Sequence, residues 1–95
     1  MPALWIAHVI VTDEDAYAKY AALAGPAIAK HGGNFIARGG RFVQLEGRER
    51  PRNVVARFDS VEAAEACYHS PEYQKALDHA RGASERELLI VETSE

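Results

Sequence analysis

Leu4-Trp5-Ile6-Ala7-His8-Val9-Ile10-Val11, running straight into Thr12-Asp13-Glu14-Asp15, is the stretch on which the fold turns. Eight residues rich in β-branched and aromatic side chains, mostly apolar on both alternating faces, read as a strand inside a sheet. Thr12 or Asp13 then offers a side-chain oxygen to the free N–H groups of a starting helix. The acids at positions 13 to 15 lie where the helix dipole favours negative charge. The chain therefore opens as strand, cap, helix.

Working outward, apolar residues at Ala16, Tyr20, Leu23, Ala24, Ala27 and Ile28 give that helix one buried stripe. Gly25-Pro26 predicts a kink or a restart within it, because proline removes a backbone donor and crowds the preceding turn. Gly32-Gly33 after His31 is a stop signal. Residues 34–38 read as a second strand. Gly39-Gly40 then break the pleat, and at least one of the two is expected at positive φ or in a bulge. Residues 42–46 can resume extended structure, 47–52 form a polar turn, and 53–58 make a third strand.

Ser60 caps a short helix over 61–68. Ser70-Pro71-Glu72 starts another, with a serine cap, proline at the first helical position and an acid in the first turn. Tyr73, Ala76, Leu77 and Ala80 are its buried stripe, Gly82 its stop, and residues 87–92 the last strand. The order β-α-β-β-α-β is the ferredoxin-like α+β arrangement. Crossover handedness leaves a four-stranded antiparallel sheet in the order 4-1-3-2, with the helical segments on one face. Ninety-five residues make one domain, 1–95.

Strand side chains alternate between faces. Trp5, Ala7, Val9, Val11, Phe35, Ala37, Val54, Ala56, Phe58, Leu89 and Val91 are the sets expected under the helices. Leu4, Ile6, His8, Ile10, Ile36, Arg38, Val55, Arg57, Leu88, Ile90 and Glu92 are expected on the open face. That second face carries too much contiguous apolar surface for a monomer, so a face-to-face homodimer is expected.

The apolar fraction of 47% is globular, and the net charge of −3 gives no global pull toward polyanions. Six arginines between Arg38 and Arg57 oppose only Glu46 and Glu49, a formal +4. This is either an anion-binding surface or a solvated hairpin. No nucleic-acid motif is present, no segment reaches the roughly 18 apolar residues that span a bilayer, and neither nucleic acid nor membrane is an expected partner. Cys67 is the single cysteine, which excludes an internal disulfide and makes a reducing cytoplasm the expected location. His31, His69 and His79 share no metal-ligand spacing, and neither a metal nor a cofactor is expected.

The chain resembles the domain of unknown function family numbered 1330, of the dimeric α/β-barrel superfamily. The resemblance rests on Val11-Thr12-Asp13 through Tyr17 and Tyr20, Pro26-Ala27-Ile28 to Gly32-Gly33, and Ala37-Arg38-Gly39-Gly40. Leu45-Glu46-Gly47, Ser70-Pro71-Glu72-Tyr73-Gln74 and Val91-Glu92 complete it. It implies the ferredoxin-like fold and a dimeric barrel. It implies no agreed activity, because the superfamily includes cofactor-free monooxygenases, isomerases, haem-degrading enzymes and ligand-sensing domains.

Two residues are candidates for catalysis. His8 is expected to face the seam between subunits, flanked by Arg57 and Glu92, where a partly buried imidazole can act as a base or serve as a hydrogen-bonded interface residue. Arg38, beside side-chain-free backbone, can hold a carboxylate with two bonds, or pair with Glu92 or Glu46. Tyr17, Tyr20 and Tyr73 pack on helices with their hydroxyls at the edge, and can line a pocket. With Arg57 and Glu92 they are the candidate ligand-binding set. The leading reading is a homodimer that binds a small, partly apolar acidic molecule. The alternatives are a cofactor-independent oxygenase or isomerase using His8 and Arg38, and a structural or regulatory dimer without ligand.

Overall fold

The computed structural model describes residues 1–95. The elements are β1 (Ala3–Val11), α1 (Glu14–Lys30), β2 (Asn34–Arg38), β3 (Arg52–Phe58), α2 (Val61–His69), α3 (Pro71–Ala80) and β4 (Ser84–Glu92). The sheet is antiparallel throughout, in the order β2-β3-β1-β4. The helices cover one face. No helix is long and apolar enough to cross a membrane.

The caps follow from the residues at each boundary. Asp13 accepts from the Ala16 N–H at 3.1 Å, and Ser60 from the Ala63 N–H at 3.0 Å. Ser70 does two jobs. Its hydroxyl donates to the Cys67 carbonyl at 2.7 Å, closing α2, and accepts from the Tyr73 N–H at 3.2 Å, opening α3. Under the helices, Trp5 is fully buried with ring centroids of Phe58 at 5.7 Å and Tyr73 at 5.0 Å. Cys67 lies in the same core, where burial pushes its thiol up to about 11, so it is inert as a nucleophile at neutral pH.

Four features depart from the pattern read in the sequence. First, α1 runs through Gly25-Pro26 without a break. Proline removes a single N–H, and the glycine before it has no Cβ to crowd the ring. Second, residues 42–46 form no strand.

Third, β2 pairs with β3 through a bulge: Phe35 faces Ala56, Ala37 faces Val55 and Arg38 faces Val54, leaving Ile36 unpaired. The extra residue reverses the alternation, so Ala37 moves to the open face and Arg38 to the helix face. Fourth, β4 starts at Ser84 and has the opposite phase to that expected. Ile90 pairs with Trp5, Leu88 with Ala7 and Arg86 with Val9. Leu88 and Ile90 therefore pack against the core, and Leu89 and Val91 lie on the open face. All four residues from 88 to 91 are apolar, so alternation alone could not set the phase.

Gly39 has φ +69° and donates its N–H to the Asn53 carbonyl at 2.8 Å. A Cβ there would lie 2.9 Å from Arg52 Nη1. Gly39→Ala is therefore expected to lower stability by about 1–2 kcal/mol, the cost of a left-handed L-residue, in chemical denaturation. Gly40, with no atom within 4 Å of its virtual Cβ, is the near-neutral control.

Candidate pocket between the first helix and the sheet

The bulge in β2 and the phase of β4 bring Arg38 and Arg86 to the helix side of the sheet, where Arg52 already lies by the alternation of β3. Arg52 on β3 and Arg86 on β4 are the two cross-strand neighbours of Val9, one on each side of β1. Arg38 arrives from the end of β2. All three line a pocket under α1, with Trp5, Ala7, Ala24, Ile28, Phe35 and Val54 as its apolar wall and Tyr17 and Tyr20 above. The cavity is about 20 Å³, enough for one water.

Each guanidinium rests on an aromatic ring. Arg38 lies 4.1 Å over Phe35, Arg52 5.6 Å over Tyr17 and Arg86 4.7 Å over Tyr20. Missing side chains leave space for two of them: a Cβ at Gly25 would lie 3.2 Å from Arg38 Nη2, and Gly39 admits Arg52 in the same way. Arg86 Nη2 donates to the hydroxyls of Tyr20 at 2.9 Å and Tyr73 at 3.2 Å, and those two hydroxyls lie 2.8 Å apart. Burial pushes both tyrosines above the usual phenol range, so they are neutral hydroxyls at physiological pH.

None of the three arginines forms an ion pair; the protein's five salt bridges join other residues. Arg52 Nε and Arg86 Nε are buried and have no hydrogen-bond acceptor. A desolvated cation without a counter-charge is costly, and an unmet buried donor adds to the cost. The arrangement is a donor-rich, positively charged recess with an apolar wall. It can receive an anion. It has no histidine, carboxylate or thiol in its lining to act as a base.

The expected site residues divide accordingly. Tyr17, Tyr20 and Arg38 line the pocket, and Tyr73 reaches it through the hydroxyl pair. His8 lies on the opposite face, exposed, with Nδ1 hydrogen-bonded to Asn53 Oδ1 at 2.6 Å; its cross-strand neighbours are Asn53 and Glu87. His8 and Arg38 do not converge, because the bulge turned Arg38 away. Arg57 is on the open face, paired with Glu95 at 2.5 Å, and Glu92 sits opposite Ala3 at the far end of β4. Neither flanks His8, since the antiparallel register puts both several residues along the strands from it.

Arg52 and Arg86 are the residues that sequence reasoning missed. In the sequence Arg52 falls in the polar turn over 47–52, and Arg86, between two glutamates, precedes the expected start of β4 at residue 87. Extending the period-two pattern from Ile90 and Leu88 back to Arg86 is the signal that could have found it. Of the arginine-rich loop, Arg48 pairs with Glu85 at 2.9 Å and Arg50 with Glu87 at 2.7 Å, which offsets much of the segment's charge.

Fold and pocket together define a ferredoxin-like α+β domain with a cationic recess beneath its first helix. The chain belongs to the family described as Domain of unknown function (DUF1330), whose profile matches residues 2–94. No curated protein matches it in sequence. Among solved structures it is similar to a protein of unknown function from Rhodopseudomonas palustris, with a TM-score of 0.78 and 22% identity, over 99% of this chain and 83% of that one. It is similar to a dimeric ferredoxin-like protein of unknown function from Jannaschia sp., with a TM-score of 0.72 and 14% identity, over 96% and 99% of the two chains. A third likeness is to SnoaB, a cofactor-independent oxygenase from Streptomyces nogalater, with a TM-score of 0.65 and 13% identity, over 99% and 94%. At these identities the likenesses establish the fold alone.

Proposed function

We propose that this protein is a homodimeric domain that binds a small, partly apolar acidic molecule in the pocket between α1 and the sheet. The observation that carries the reading is Arg86: a half-buried guanidinium held by two neutral tyrosine hydroxyls, with its buried Nε unmet and no carboxylate opposite. A purely structural dimer has no use for such a group, because a methionine of similar length would fill the space without the desolvation cost. The apolar wall supplies the rest of the recognition. The cavity holds only a water as it stands, so Arg38, exposed at the mouth and held by one ring contact, is the side chain expected to shift and make room as ligand enters, its guanidinium staying at the rim. The dimer reading is supported by the uncovered sheet face and by the dimeric Jannaschia structure. The single cysteine keeps a reducing cytoplasm as the proposed location.

The likeness to SnoaB favours a second reading, a cofactor-independent oxygenase or isomerase. There the arginines and tyrosine hydroxyls would stabilise a developing enolate. With His8 on the other face, the base would have to come from the substrate or from the partner subunit.

Thermal shift against hexanoate and benzoate tests the binding reading. Either acid is expected to raise the melting temperature by several degrees at saturation, since binding to the native state stabilises it. Arg86→Met is expected to melt no lower than the parent without ligand and to lose the shift. A variant that melts much lower and still responds to the acids would count against the proposal.

A further inference from the structure

Resting on that reading, we infer that the ligand is a dicarboxylate, one acid group seated at Arg86 with the tyrosine pair and the other at Arg52 and Arg38. The first argument is charge. Three guanidiniums line one pocket, and no carboxylate lies among its lining residues. Arg38 is exposed, so solvent screens its charge; of the two half-buried guanidiniums, Arg52 and Arg86, a monoanion leaves one uncompensated and a dianion leaves neither. Uncompensated charge in such surroundings is what binding must relieve.

The second argument is the count of donors. Between the Tyr20 and Tyr73 hydroxyls there are two protons. One is used in the 2.8 Å contact, and Arg86 only donates to the pair. One hydroxyl proton then has no acceptor among the contacts of the pair, and Arg86 Nε has none either. A carboxylate, with two oxygens and no donors, meets both. Arg52 Nε is left over independently, at a separate place.

The third argument is spacing. Arg52 and Arg86 both pair with Val9 from opposite sides, so their backbones are two strand spacings apart, roughly 9.5 Å. Their guanidiniums lie over different rings, Tyr17 and Tyr20, whose centroids are 5.0 Å apart. Two seats separated in this way fit two acid groups joined by a short apolar linker. They fit a single compact dianion such as phosphate less well, because it can occupy only one seat at a time.

Calorimetric titration of the intact protein with succinate, glutarate and adipate, beside butyrate, pentanoate, hexanoate and inorganic phosphate, tests the inference. At least one dicarboxylate is expected to bind tenfold or more tightly than the monocarboxylate of equal carbon number, and more tightly than phosphate. Arg52→Gln and, as a more exposed second variant, Arg38→Gln are expected to bring that dicarboxylate down to the level of its monocarboxylate. A melting curve without ligand shows that each variant is folded. Monocarboxylates or phosphate binding as tightly as every dicarboxylate would overturn the inference while leaving an acid-binding pocket in place. Binding of none of the seven compounds, nor of benzoate, by a folded protein would overturn both.

Discussion

Gly33→Ala is expected to lower the melting temperature by roughly 5–20 °C, although it adds one methyl group to a chain of 95 residues. Gly33 lies between α1 and β2, and its φ is not positive, so the backbone itself would accept alanine. The obstacle is space. A Cβ there would lie 2.5 Å from Ile28 Cγ2 and 2.7 Å from Phe58 Cζ, both inside any carbon–carbon contact distance. Neither neighbour can retreat. Ile28 and Phe58 are 2% and 1% exposed, and Phe58 packs tilted against Trp5. The added methyl must therefore push the end of α1 away from β3, at about 1–3 kcal/mol for overpacking. For a domain of this size each kcal/mol moves the midpoint by about 4–8 °C. Since α1 also roofs the pocket, the same variant should weaken acid binding. Scanning calorimetry of Gly33→Ala beside the Gly40→Ala control decides it. Equal midpoints would mean that the close approach of α1 to the sheet does not matter to stability.

Most of the scaffold was legible in the sequence because its punctuation is chemical. Asp13, Ser60 and Ser70-Pro71 mark helix starts whose caps form as their side chains dictate. Ala3, Trp5 and Ala7 pair with Phe58, Ala56 and Val54 as alternation requires. The sheet order follows from the element order and handedness. The pocket was only partly legible. Tyr17, Tyr20 and Tyr73 could be placed from helical spacing, but the arginines depend on register, and register was misread at two points. A single unpaired residue, Ile36, turns Arg38 over. At β4, four consecutive apolar residues allow either phase. The choice is made by the turn before them, where the Ala83 carbonyl accepts from the N–H groups of Thr12 and Asp13. That contact joins residues some seventy positions apart, and no local pattern contains it. A one-residue slip exchanges the faces of every side chain that follows, so the site was lost where the fold was not.

The proposed dimer makes the largest prediction: Ile6→Asp is expected to convert it to monomer or to unfold it. Ile6 lies near the middle of the open face, paired with Val55 on β3 and Leu89 on β4. Leu4, Ile10 and Val55 surround it half-buried, and Leu89 and Val91 remain 54% and 45% exposed. At roughly 25 cal/mol per Å², burying even ~600 Å² of apolar area on this face contributes about 15 kcal/mol before association costs. Those costs run from about 4 to over 15 kcal/mol, so one charge desolvated in the seam is enough to reverse the balance. Around a two-fold axis the patch meets its own copy, and each dimer would carry the aspartate twice. The corrected phase of β4 supplies the contrast. Ile90 pairs with Trp5 and packs against the core, so Ile90→Asp should destabilise each protomer from within, whereas Leu89→Asp should act on association as Ile6→Asp does. Light scattering and urea unfolding separate the two effects. A parent chain that is monomeric at micromolar concentration would defeat the dimer, and so would an Ile6→Asp variant that stays dimeric with the parent's stability.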